Sequence, residues 1–183
     1  MTAFATPTYD VARPLIRPLI RRVALSVKLD HIDRKIMRIL QEDGRITNVE
    51  LARQVGISAP PCLRRVRALE ENGYIRGFHA EVDAAKVGYE ITVFAMVGLH
   101  SQAEGDLQAF ERRCQGWPLV RECFMLNGEI DFILKVVARD LKQFQTFLTT
   151  ELTPAPNVES VKTAFSIRSA KNAPIVPFEA EAE

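Results

Sequence analysis

Three arginines, Arg64, Arg65 and Arg67, share a stretch with Cys62, Val66 and Leu69, which are apolar at helical spacing. At about 100° per residue, the apolar residues cluster on one side with Leu63 at its edge. Arg64 lies opposite, and Arg65 and Arg67 flank it. One side can pack on a core while the other offers guanidinium forks to phosphates and to guanine edges in a major groove. Taken alone, the pattern is equally that of a solvated helix face. The residues before it favour a nucleic-acid surface. Thr47 followed by Glu50 three residues later is the signature of a capping box and starts a helix, on which Leu51 and Val55 share a face. Gly56 supplies the permissive backbone of a tight turn, and Ser58 caps a second helix. Pro60 and Pro61 fall in its first turn, where a missing N–H costs no intrahelical bond. Ile46–Ile75 thus reads as two short helices joined by a glycine turn, the second bearing the arginines. That is the layout of a helix-turn-helix that contacts DNA.

A further helix must give these two a core. Leu29, Ile32, Ile36, Ile39 and Leu40 recur at helical spacing around Asp30, a cap residue. The pattern predicts helices over Leu29–Glu42, Thr47–Gln54 and Ser58–Asn72, with Gly44 and Gly73 as stops. Charge is distributed to match. The net +1 conceals four arginines against one acid in residues 1–27, ten Lys/Arg against seven acids in 28–78, and ten against fifteen in 79–183. A basic N-terminal half beside an acidic C-terminal half suits polyanion binding through one end. Residues 1–27, with Pro7, Pro14 and Pro18 and a tandem RPLI-RPLI, keep no sustained period and are expected to be a disordered extension.

Enzymatic chemistry finds little support. There is no G-x-S-x-G elbow, no G-x-x-x-x-G-K-[ST] loop and no G-x-G-x-x-G turn after a strand. His31, His79 and His100 are scattered without ligand-like partners, and Cys62, Cys114 and Cys123 read as small buried hydrophobes. Neither a metal nor a cofactor is expected. With no apolar run of about 18 residues and no secretory core, no membrane association is expected and the cytoplasm is the expected compartment.

After an extended linker over residues 76–89, in which Gly88 marks a turn, the texture changes. Glu90–Leu99, Leu119–Leu126, Ile130–Ala138 and Val158–Ile167 read as strands, being β-branched and apolar. Between them Leu107, Phe110 and Cys114 place a helix over Ser101–Gln115, and Leu141, Phe144 and Leu148 another over Asp140–Leu152. The order β-α-β-β-α-β is that of a ferredoxin-like split unit, which makes the chain α+β. Two helices cover one sheet face, yet Ile91, Val93, Ala95 and Val97 on one side and Phe94 and Met96 on the other are all apolar. The second face needs a partner, and a homodimer is the economical answer.

From about Lys28 to Pro177 the chain resembles the Lrp/AsnC (leucine-responsive, feast/famine) transcription regulators. The similarity is carried by LDHIDRKIMRILQEDGRITNVELARQVGISAPPCLRRVRALEENGYIRGFHAEVD, by FAMVGL, and by LNGEIDFILKVVARDLKQFQTFL. The resemblance implies a winged-type helix-turn-helix domain joined to a ferredoxin-like effector domain, with double-stranded DNA and a small molecule, typically an amino acid, as partners. It further implies dimers that assemble into octamers or similar rings. Ser58, Pro60, Pro61 and Cys62 would open the recognition helix and Arg64, Arg65 and Arg67 its basic face, with Thr47 adding to the DNA-contacting set. Asn127, Gly128, Glu129 and Asp131 would form the effector loop, where Gly128 admits a close backbone approach and Asp131 pairs with a ligand ammonium. A surface hairpin with a solvated aspartate is the competing reading of that loop. Where the family commonly has paired threonines after a lysine near the C-terminus, this chain has Ala173 and Pro174, so hydroxyl contacts from there are lost.

The expected domains are then 28–75 for DNA, 76–89 as linker, 90–178 for effector binding and oligomerisation, and 179–183 as an acidic tail. The alternative is a ferredoxin-like regulatory subunit of an amino-acid enzyme that does not bind DNA. The capped, arginine-bearing helix pair argues against it.

Overall fold

The structure, a computed structural model, describes residues 29–174 and 176–178. The expectations for residues 1–27 and 179–183 lie outside them. Helix α1 (His31–Glu42) begins at Asp30, whose side chain accepts the Asp33 N–H at 2.8 Å while the Asp33 carboxylate accepts the Asp30 N–H at 3.3 Å. This reciprocal box satisfies two of the donors a helix start leaves open. α2 (Asn48–Val55) and α3 (Ala59–Glu71) lie within one residue of their expected bounds.

The box expected at Thr47 is only half made. Its hydroxyl accepts the Glu50 N–H at 3.2 Å, but the Glu50 carboxylate turns forward to the Arg53 guanidinium at 2.6 and 2.8 Å and to the Gln54 amide at 2.9 Å. A two-pronged charged pair outcompetes one bond to a backbone N–H. The same bonds, from Arg53 first and then Gln54, hold the Glu50 carboxyl down at about 2.

Gly56 closes α2 with φ 79, a left-handed cap that lets the Ile57 N–H reach the Ala52 carbonyl at 3.0 Å. The chain can therefore double back, and Ile36, Leu51, Ala52, Val55, Cys62 and Leu69 meet in one buried core. Gly44 serves closeness instead of turning. A Cβ there would stand 3.2 Å from the Phe78 ring, so linker residue Phe78 packs back onto the α1–α2 turn.

The second unit spans Val82–Ala170. Residues 76–83 hold no regular element, and a single 3-10 turn, Ala85–Val87, precedes Gly88. Strands β1 (Ile91–Leu99), β2 (Val120–Met125), β3 (Phe132–Ala138) and β4 (Val158–Phe165) pair antiparallel in the order β2-β3-β1-β4. Helix α4 (Glu104–Gln115) and α5 (Leu141–Phe147) complete the expected β-α-β-β-α-β order. α5 does not run regularly to Leu152: its last turn, Leu148–Leu152, widens to a π-helix. β4 stops two residues early, leaving Ile167 98% exposed.

Val93, Ala95 and Val97 of β1 and Phe132, Leu134, Val136 and Ala138 of β3 are buried in one cluster with Phe110, Cys114, Phe144, Phe147 and Leu152. The opposite face carries Phe94, Met96, Ile133 and Phe124, with Phe124 54% exposed. It also carries a charged pair, Lys135 with Glu122 at 2.8 Å. Cys114 and Cys123 are free thiols on the packed side, and the neighbouring Cys123 together with burial pushes the Cys114 thiol up. Residues 171–174 and 176–178 group with the unit formed by residues up to Glu81.

Candidate DNA-binding face and effector loop

Helix α3 separates its side chains into two sets. Cys62 is 0% exposed and Leu69 4%, so Cys62 is the small buried hydrophobe its place on the apolar side predicts and not the surface contact that the resemblance implied. Burial also pushes its thiol up. Pro60, Arg64 and Arg67, at i, i+4 and i+7, are exposed together, and Leu63 beside them is 39% exposed. Leu63 had been assigned to the edge of the packed face. Its position four before Arg67 was the signal that it belongs with the arginines. Ser58 occupies the cap position but its hydroxyl makes no capping bond. Pro60 and Pro61 remove backbone donors from the first turn, which leaves less for a hydroxyl to cap. Thr47 is exposed, with its oxygen engaged by Glu50 as above.

Arg65 does something different from its neighbours. Its Nη1 donates to Asp30 Oδ2 and to Asp33 Oδ1, both at 2.8 Å, so it fastens α3 to the start of α1. The guanidinium is raised above its ordinary value by the bond to Asp33 first and, against desolvation, by Asp30. The Asp30 carboxyl is held below its ordinary 3.8, first by the Asp33 backbone N–H and then by Arg65. The exposed positive charge of α3 is therefore carried mainly by Arg64 and Arg67.

The loop Asn127–Asp131 joins β2 to β3, with Asn127, Gly128 and Glu129 exposed and Asp131 half-buried. Asp131 is built into the sheet edge. Its N–H donates to the Val97 carbonyl at 3.0 Å, its carbonyl accepts the Leu126 N–H at 2.8 Å, and its Oδ2 accepts the Leu99 N–H at 2.7 Å. The last bond falls beyond Val97, where the β1–β3 register ends and no strand residue remains to serve that N–H. A carboxylate has about four acceptor sites, so the group has room for a second donor. Around Gly128 the space a Cβ would fill is open for 4 Å, and its backbone is not left-handed. Only another molecule would make a close approach there. Ala173 and Pro174 are exposed. Among the described residues no cluster of three or more His, Cys, Asp or Glu is arranged to hold a metal ion, and no helix is long and apolar enough to cross a membrane.

Residues 29–76 match the winged helix-turn-helix DNA-binding family, and residues 92–176 match the Lrp/AsnC ligand binding domain. The chain belongs to the Lrp/AsnC family of transcriptional regulators. Among its Lrp/AsnC relatives, a leucine-responsive regulatory protein of Rhizobium meliloti (strain 1021) is 55% identical over 151 residues, 82% of this chain and 97% of that protein. A Bkd operon transcriptional regulator of Pseudomonas aeruginosa is 44% identical, over 78% of this chain and 93% of its own length. A transcriptional regulator of Neisseria meningitidis, crystallised as a complex with L-Met, superposes with a TM-score of 0.76 at 34% identity, covering 81% of this chain and 96% of that one. As an Lrp/AsnC regulator the chain combines a DNA-binding unit with a ligand-binding one, which the separate cores described above provide.

Proposed function

We propose that this regulator places α3 of two copies in successive major grooves and alters that binding when an amino acid occupies the loop around Asp131. The observation that carries the DNA half is the sorting of α3. Arg64 and Arg67 stand exposed with Pro60 and Leu63 on one side, while Cys62 and Leu69 lock the other into the core. Arg64 and Arg67 supply forks for guanine or phosphate, and Leu63 an apolar contact for a thymine methyl. Ser58, with its hydroxyl uncommitted to the cap, supplies a phosphate contact at the helix start. Arg65 acts from behind, fastening α3 to the start of α1.

Two copies joined through the open sheet face support the paired presentation of α3. That face would expose Phe94, Met96, Ile133 and Phe124 in a lone chain, and contiguous apolar patches of this kind mark association surfaces. For the effector, the support is the spare acceptor capacity of Asp131, together with the L-Met bound in the Neisseria meningitidis protein. A ligand ammonium would take the remaining lone pairs of the carboxylate while Leu99 keeps its own.

The test is a mobility-shift titration of the full chain on duplex DNA across a salt series, with and without L-methionine or L-leucine. Affinity should fall linearly with salt on logarithmic axes. A salt-independent affinity would overturn the assigned face.

A further inference from the structure

We propose that residues 171–174 and 176–178 act as a strap of the DNA-binding unit, giving that unit a second covalent connection to the sheet through the end of β4. The chain already enters the unit once, along residues 76–81, where the Phe78 ring rests against Gly44. It returns after β4. The segment from Lys171 packs with the unit formed by residues up to Glu81. Gln41, on the last turn of α1, donates its Nε2 to the Val176 carbonyl at 2.7 Å across 135 residues of sequence. Asn172 donates its Nδ2 to the Glu81 carboxylate, tying the returning strand to the outgoing one. The Phe178 N–H folds back on the Val176 carbonyl at 2.9 Å, and Phe178 is half-buried.

The composition suits such a strap. Pro174 and Pro177 fix φ and lower the entropy lost on docking, and their missing N–H groups keep the segment out of any sheet ladder. This gives the departure from the usual paired threonines a positive reading: where hydroxyls are lost, a stiff clip on α1 is gained. One tether leaves a domain free to swivel, whereas two parallel tethers restrict it. The strap also grips the α1 turn that leads to Gly44 and Thr47, and so to α2. A displacement of the end of β4 is therefore delivered to the helix pair directly.

The experiment compares full-length protein with a chain ending at Ala170, with Gln41→Ala, and with a chain carrying Gly-Gly between Arg168 and Ser169. Amide hydrogen exchange is followed in peptides covering residues 37–44. Truncation and Gln41→Ala should each speed exchange there about fivefold, the worth of one net hydrogen bond, and leave β1 and β3 amides unchanged. Unchanged exchange at 37–44, or an equal rise in β1 and β3, overturns the strap. The Gly-Gly insertion keeps the contacts and adds slack, so exchange should stay at the full-length value. Its duplex affinity should fall about threefold if the fraction of correctly held units falls to a third. Unaltered affinity overturns the tether. This last arm rests on the DNA-binding reading, whose failure would show separately as a full-length protein without salt-dependent duplex binding, while the exchange result would stand.

Discussion

Replacing Arg65 by alanine should cost stability and not DNA contact, in contrast to its neighbours on the same helix. The guanidinium makes two contacts of 2.8 Å, to Asp30 and Asp33, with side-chain exposures of 34% for Arg65, 41% for Asp30 and 12% for Asp33. Pairs this exposed are worth about 0.2–1 kcal/mol each. The Asp33 end is the less solvated and would be left without its cation, which places the loss near the top of the range. We expect about 1–2 kcal/mol in total, or a melting shift of the helical unit of roughly 4–8 °C per kcal/mol. Calorimetry on Arg65→Ala, Asp33→Asn and the double variant gives a coupling energy that isolates the pair. In parallel, duplex affinity measured well below the melting temperature should be within about twofold of the parent. If Arg65→Ala instead keeps its melting temperature and loses affinity as Arg64→Ala does, the partition of α3 argued above is wrong.

Arg64→Ala should weaken specific duplex binding by about 1–3 kcal/mol with no change in melting temperature, and Leu63→Ala should give a smaller loss confined to sites with thymine at the contacted step, as titration against substituted duplexes would reveal. Asp131→Asn keeps an oxygen for the Leu99 N–H but removes the charge, so ligand affinity by calorimetry should fall by about 1.5–3 kcal/mol at unchanged stability. Asp131→Ala should add a loss of fold stability, and equal behaviour of the two variants would refute the double role. If two copies join through the open sheet face as proposed, Phe124→Asp should leave a species near 20.6 kDa in light scattering, and a larger mass retained by the variant would rule out that face as the joint. The Asp30 carboxyl is lower in the folded state than its ordinary 3.8. The stability it confers is therefore complete above about pH 4 and lost as pH falls through the folded value. Melting curves from pH 5 to 3 should show a steeper decline for the parent than for Asp30→Asn.

Much of this was legible in the sequence because it rested on local rules. Asp30, Thr47, Gly56 and Gly73 announce helix ends through backbone chemistry that operates within four residues. The alternation along β3 records which side meets the helices. What escaped reading depends on contacts between residues far apart. Arg65 and Asp33 are 32 positions apart, and a helical wheel cannot say which of three arginines on one side meets another helix. Glu50 illustrates competition within a single turn: the motif promised a backbone partner, and the arginine three residues on offered a better one. Asp131 looks in the sequence like a solvated or ligand-facing acid because nothing near it shows that Leu99, 32 positions earlier and past the end of the β1–β3 register, lacks a ladder partner.

That strand end gives the proposed effector loop its physical interest. A carboxylate serving only a ligand could be lost without structural consequence, and one serving only the sheet would have no reason to stand beside an exposed glycine. Asp131 holds the end of β1 with one oxygen. In the proposed reading, ligand charge drawn to the remaining lone pairs would weaken the bond to the Leu99 N–H without displacing it, because both donors draw on one carboxylate. The next residues, His100 and Ser101, are themselves clamped by Asn157, whose carbonyl accepts the His100 N–H at 2.9 Å and whose amide brackets Ser101 at 2.9 and 2.8 Å. Asn157 sits at φ 70 immediately before β4. In the proposed reading, a change in the pull of Asp131 on Leu99 would be passed through two hydrogen-bonded neighbours to Asn157, the residue before the strand whose far end leads into the strap.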